Sequence, residues 1–123
     1  RLGPASSSCG ICGVEAIENL LKFLEPLESE AFEVDTLTSV ADNIQKEQDL
    51  FGVTGAVHAA MAFDRSGRNI VIREDIGRHN AVDKIVGHLY LKDSLPANEM
   101  GLWVSGRASF EMVQKAWAAG FAS

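Results

Sequence analysis

The spacing of apolar residues changes character along this chain. Val14, Ile17, Leu20, Leu21 and Leu24 fall on one helical face, and Pro26 ends the pattern. Glu15 and Glu18 sit in the first turns, where the helix dipole favours negative charge. The stretch EPLESEAFEVD at 25–35 is acidic and reads as a surface connection. A second amphipathic helix is expected from about Thr36 to Leu50, with Leu37, Val40, Ala41 and Ile44 facing inward. The period then shortens. VHAAMAFD and NIVIRED flank RSG, which predicts a hairpin with Gly67 in its turn. Ala59, Ala60 and Ala62 make the first of these strands small, as closely packed helices would require. A third helix is expected from near His79 or Asn80, with Val82, Ile85, Val86 and Leu89 at helical spacing. GLWVS predicts a short buried strand. SFEMVQKAWAAG predicts a fourth helix, with Ser109 as N-cap and Gly120 just past its end.

The order is helix, helix, strand, strand, helix, strand, helix. Strand–helix–strand units with short connections imply helices layered on a sheet, with crossovers of the usual hand. The fold class expected is therefore α/β, a sandwich of helices on a sheet. Ligands in such folds sit beyond the carboxyl ends of strands, where strand leads into helix. REDIGRHN, after the second strand, and SGRASF, after the third, occupy that position.

With 123 residues, 46% hydrophobic and 23% charged, the chain is long enough for one core, and residues 1–123 are taken as a single domain. Its apolar runs stop well short of the ~18 residues that a membrane-spanning helix needs. A formal net charge of −6 argues against general nucleic-acid or membrane-surface binding, but not against one local basic site. The two close cysteines make no secreted disulfide framework, so a reducing, cytoplasmic setting is expected. The chain opens on Arg1 without a methionine and stops just after Gly120, where a strand would be the natural next element. A piece of a longer protein is expected.

Both cysteines, Cys9 and Cys12, lie in SSSCGICG at 6–13. A C-x-x-C pair can ligate zinc, cycle through a disulfide, or pass sulfur. Structural zinc needs four ligands, and His58, His79 and His88 stand in no finger pattern with the pair, so no tightly bound metal is expected. A thioredoxin-like site wants the pair after a strand, and PASSS is a poor strand. Cys12 does lie just before a helix start, where free N–H groups and the dipole lower a thiol's pKa. Gly10, Gly13 and the serines leave the backbone free to swing. A persulfide carrier needs those properties; two inert thiols at a loop end are the plainer alternative.

A second candidate site is EDIGRHNAVDK. Arg78 and His79 sit at a strand-to-helix turn, and Gly77 allows close backbone approach. The N–H groups of a helix start, together with a guanidinium, make an anion cradle. Ser105, Gly106 and Arg107 repeat the arrangement before the last helix. Two such turns suit a phosphate or pyrophosphate. Each arginine alone could instead pair with Glu74, Asp75 or Glu111. His58 is expected to be a satisfied core histidine and His88 a surface one, while Met61, Met100 and Met112 look like core filler.

Taken together, SSSCGICG, TGAVHAAMAF, REDIGRHNAVDKIVG and VSGRASFEMVQKAWAAG resemble the formate dehydrogenase accessory sulfurtransferases, FdhD-like proteins, in order over nearly the whole chain. The resemblance implies a sulfur relay. A cysteine desulfurase would deliver sulfur as a persulfide to the loop at 6–13, with Cys9 carrying it and Cys12 as its partner in transfer. The acceptor would be the molybdenum (or tungsten) bis-molybdopterin guanine dinucleotide cofactor, which must gain a sulfido ligand before formate dehydrogenase is active. Arg78, His79, Asn80, Ser105 and Arg107 would line the anionic face of that cofactor. The family likeness also implies a three-layer sandwich with a cytidine deaminase-like core, residues 14–123, and a homodimer. The deaminase zinc signature is absent from the matching helix starts, so deamination is not implied. Ala56 stands where many relatives have a second glycine, and the relatives continue beyond both ends of this chain. The alternative is a non-catalytic chaperone that binds the cofactor or the dehydrogenase and uses its cysteines as a zinc or redox clip.

Overall fold

The computed structural model describes residues 25–51 and 57–123. Its elements are α1 (Val34–Phe51), β1 (His58–Phe63), β2 (Asn69–Asp75), α2 (Arg78–Leu91), β3 (Gly101–Val104) and α3 (Phe110–Ala119). Each begins close to where the hydrophobic pattern places it; the helix expected over 14–24 lies outside the described residues. The strands form one sheet in the order β2–β1–β3, antiparallel at both pairings. It follows that β2 and β3 run parallel to each other on either side of β1, and α2 carries the chain across between them. The expected α/β class is observed, as a small antiparallel sheet with helices.

Alternation along β1 divides the core in two. Ala60 and Ala62 are fully buried and face α2 and α3, among Val71, Val82, Ile85, Leu89 and Met112. Met61 and Phe63 point the other way, against Val40 and Ile44 of α1 and against Phe32. Small side chains on one face let two helices close on the sheet. Large ones on the other fill the space under a single helix. That helix buries a narrow stripe, Val40 and Ile44 with Leu37 half-covered, so Ala41, expected inward, is exposed at its margin.

The acidic segment before α1 is more than a surface connection. Phe32 is buried and meets Phe63 edge-on, with ring centroids 5.5 Å apart and planes at 84°. The Arg65 guanidinium lies 4.3 Å over the Phe32 ring. Arg65 also donates to the Glu30 carbonyl (2.7 Å), the Asn98 carbonyl (3.2 Å) and Glu99 Oε2 (3.1 Å). At the other end of the segment, Trp117 Nε1 donates to the Glu25 carbonyl at 2.7 Å. The segment is thus a strap, tied to α3 at one end and to the hairpin turn at the other.

That turn is built from local chemistry. Asp64 Oδ1 accepts from Ser66 N (2.9 Å), Ser66 Oγ (2.6 Å) and Arg68 N (3.0 Å). Gly67 follows at φ +87°, and a Cβ there would press on the Val40 and Thr36 methyls at 3.3 and 3.4 Å. At the far end of the fold, Ser109 Oγ accepts from Met112 N (3.3 Å) to start α3, and Gly120 ends it in the left-handed region at φ 89°. Phe121 is buried, and Ala122 and Ser123 bond to Met100 and Leu102 along the outer side of β3.

The outer side of β2 is partly occupied by its own neighbours. Ala59 bonds to Ser105, so Ala60 turns its amide toward β2, and the carbonyls of Ile72 and Glu74 point outward. Arg73 Nη1 donates to the first at 2.7 Å, and Lys84 Nζ to the second at 2.8 Å. Two glycines make the packing testable. A Cβ at Gly101 would overlap the Phe63 ring, whereas Gly87, inside α2, has open space around it. Gly101→Ala is expected to lower stability by about 1–3 kcal/mol. Gly87→Ala is expected to raise it by about 0.4–1 kcal/mol. Urea unfolding at unchanged m-value measures both, and equal behaviour of the two variants would contradict the packing described.

Candidate functional site at the carboxyl end of the sheet

Since β2 and β3 are both antiparallel to β1, the turns that follow them emerge at the same end of the sheet. They are in contact there: Arg78 Nη1 donates to the Arg107 carbonyl at 3.4 Å. The two turns start their helices differently. α2 opens on Gly77, which offers no side-chain cap. Asp75, the last residue of β2, organises that turn instead. Its Oδ2 accepts from Gly77 N (2.8 Å) and Asn80 Nδ2 (3.2 Å), and its Oδ1 pairs with Lys84 Nζ at 2.8 Å. Lys84 first, then the Gly77 amide and Asn80, hold the Asp75 carboxyl at a pKa of about 2.

α3 opens on Ser109, and the same hydroxyl that caps it meets His79 Nε2 at 3.2 Å. Glu111 Oε2 lies 3.7 Å from that ring nitrogen. His79 therefore ties the start of one helix to the start of the other. Between α2 and α3, Lys115 Nζ and Asp83 Oδ1 make a further link at 2.9 Å.

The residues singled out from the sequence fare differently. Arg78 and Arg107 come together, and neither has a carboxylate within ion-pair distance among the described residues. Among the described residues the competing ion pairs with Glu74, Asp75 and Glu111 are not formed; Asp75 pairs with Lys84, and Glu111 lies beside His79. His79 and Asn80 are at the site, but each is engaged in holding it. Ser105 turns inward: its Oγ accepts from Ala59 N at 2.9 Å and its own N donates to the Ala59 carbonyl at 2.9 Å, so it extends the strand pairing. Its hydroxyl proton is still available to donate. Cys9 and Cys12 lie outside the described residues.

Asp75, Lys84 and Glu111 also belong to the site, beyond the residues expected from the sequence. Asp-x-Gly before a helix is an Asx-turn signal and marks the first; nothing local marks the other two. His88 is not a surface residue. It is half-buried against β2, with Arg73 Nη2 at 3.1 Å from Nδ1. Arginine can only donate, so Nδ1 accepts and the ring proton sits on Nε2. Two grooves, of about 290 and 550 Å³, lie elsewhere, the first between β3 and α3 and the second between α1 and the hairpin. Among the described residues no group of three or more His, Cys, Asp or Glu is placed to hold a metal ion. No helix among them is long and apolar enough to cross a membrane.

A family model described as the FdhD/NarQ family matches residues 4–123, which include both arginine turns and the C-x-x-C pair. The chain belongs to the FdhD/NarQ family. It is 42% identical over 118 residues to a sulfur carrier protein FdhD of Mycobacterium tuberculosis, covering 94% of this chain and 43% of that protein. It is 46% identical over 116 residues to a sulfur carrier protein FdhD of Sulfolobus acidocaldarius, with 94% and 44% covered. The chain therefore spans less than half the length of these FdhD relatives. Its fold superposes with a TM-score of 0.67 on a crystal structure described as a formate dehydrogenase accessory protein from Desulfotalea psychrophila. That match is 29% identical and covers 85% of this chain and 44% of the other.

The Asp75 network has a signature in acid. Its folded pKa of about 2 lies below the ordinary 3.8, so ionised Asp75 favours the fold, fully above about pH 4 and decreasingly as pH falls through 2. The stability difference between the wild type and Asp75→Asn is thus expected to shrink from about pH 4 to about pH 2. Urea midpoints across that range check this, and a constant difference would remove the network.

Proposed function

We propose that this chain carries sulfur as a persulfide on Cys9, from a cysteine desulfurase to the molybdenum bis-molybdopterin guanine dinucleotide cofactor, so that formate dehydrogenase becomes active. The cofactor is the acceptor substrate of this sulfurtransferase. The observation that carries the reading is the arginine pair at the sheet end, with no carboxylate partner among the described residues. In a chain of net charge −6, two such guanidiniums at adjoining strand ends suit the phosphates of a dinucleotide. The sulfur half is supported by the name of the relatives, sulfur carrier protein, and by the C-x-x-C pair within the family match.

In the loading step the Cys9 thiolate attacks the outer sulfur of the donor persulfide. A sulfur–sulfur bond forms on Cys9, the donor's sulfur–sulfur bond breaks, and the donor leaves as a thiolate. In release the Cys12 thiolate attacks the inner sulfur of the Cys9 persulfide. A Cys9–Cys12 disulfide forms, the persulfide bond breaks and the outer sulfur leaves as sulfide for the acceptor. A thiol reductant then restores both thiols. Arg78 and Arg107 hold the anionic face of the acceptor, His79 and Asn80 keep their turn in place, and Ser105 closes the sheet beneath them. A cytoplasmic setting and a homodimer belong to the same proposal. So does a deaminase-like three-layer core, supported by helices on both sheet faces.

Intact mass of the full-length protein, incubated with a cysteine desulfurase and cysteine, tests the relay. One reductant-labile sulfur is expected, lost in Cys9→Ala. The Arg78→Ala and Arg107→Ala variants should load sulfur normally but bind guanosine diphosphate roughly ten- to hundredfold more weakly, the cost of a charge-assisted contact. No sulfur gain in any variant would leave a cofactor-binding chaperone in place of the carrier.

A further inference from the structure

One row of the sheet runs beneath both arginine turns. The β1–β2 register sets His58 opposite Asp75. The β1–β3 register, continued through the paired bonds of Ala59 with Ser105, sets His58 opposite Gly106. By alternation His58 shares the face of Ala60 and Ala62, the one that α2 and α3 cover. Its half-buried side chain therefore lies on the face of the two helix starts, at the end where Arg78 and Arg107 emerge.

Gly106 leaves the space beside that ring. It sits at φ +80°, a conformation that side chains disfavour, and a Cβ there would stand 3.8 Å from His58 Nδ1 and 3.9 Å from Cε1. On the other flank Asp75 is already occupied by Gly77, Asn80 and Lys84. Ser105 Oγ accepts from Ala59 N and keeps its own proton to donate. Among the described residues the His58 ring makes no hydrogen bond, and it lies on the sheet face and at the sheet end from which both arginine turns emerge.

We propose that His58 is a third binding group of this anion site, donating a ring N–H to a phosphate or pyrophosphate oxygen held between Arg78 and Arg107. Gly106, at positive φ, places no side chain against that ring. The proposal rests on the arginine turns being an anion site, as proposed above. A neutral imidazole has one N–H and a charged one has two, so the donor is present in either state.

Titration of the full-length protein with inorganic pyrophosphate tests this, read by calorimetry and by the ¹⁵N shifts of the histidine rings. The His58 ring signals should move on addition while those of His88, held on Arg73, stay put. His58→Ala should weaken binding roughly tenfold, the loss of one hydrogen bond to a charged group, and His58→Gln should recover part of it. Should His58→Ala fail to fold, the wild-type ring shifts decide the matter alone. Unmoved His58 signals, or wild-type affinity in His58→Ala while Arg78→Ala and Arg107→Ala lose binding, would exclude His58 and leave the arginine site. No pyrophosphate binding by the wild type would overturn both.

Discussion

The antiparallel pairing of β1 with a strand on each side sets the direction of everything after it. β2 and β3 must then run the same way, so α2 has to cross the sheet between them. The turns that leave both strands come out together. Two arginine turns that are 29 positions apart in the sequence meet at one sheet end for that reason alone. Among the described residues the pairing also puts β1 at the centre of the sheet, buried on both faces, and its side chains must satisfy two different neighbours at once. Alanines admit a pair of helices on one side; methionine and phenylalanine fill the other.

At the sheet end, the ion pairs matter for where charge is left rather than for how much stability they add. Exposed pairs are worth about 0–1 kcal/mol each. Lys84 is about half exposed and pairs with Asp75. Glu111 lies beside His79. With those acids engaged, the positive charge of the site stays on the two guanidiniums. An acidic protein can in this way present a small cationic surface without many basic residues.

Much of this fold is legible from neighbours in sequence. Ser109 and Gly120 bound α3 because capping is local, and Asp64, Ser66 and Gly67 make their turn within a few residues. The arginines could be placed because strand-to-helix turns are themselves local. What escaped was contact between distant segments. Phe32 looked like part of an acidic loop because its partners, Phe63 and Arg65, lie on another element. His88 looked like a late-helix surface residue until α2 was laid over β2. Ser105 is expected from the sequence at a strand end facing the anionic ligand, and only the register of β1 with β3 brings its hydroxyl to Ala59 N. Asp75 and Lys84 are nine positions apart, a spacing that carries no meaning until strand and helix are packed.

The side chains of Arg73, on β2, and Lys84, on α2, have one more effect. Among the described residues β2 borders solvent, and it carries Ile70 and Ile72 at 42% and 38% exposure. An uncovered strand of that kind is a template on which another chain can add itself. Here an incoming strand would find the carbonyls of Ile72 and Glu74 already holding cationic donors, and would have to displace both to line up. The same lysine that balances Asp75 thus also guards the molecule against self-assembly along its open margin.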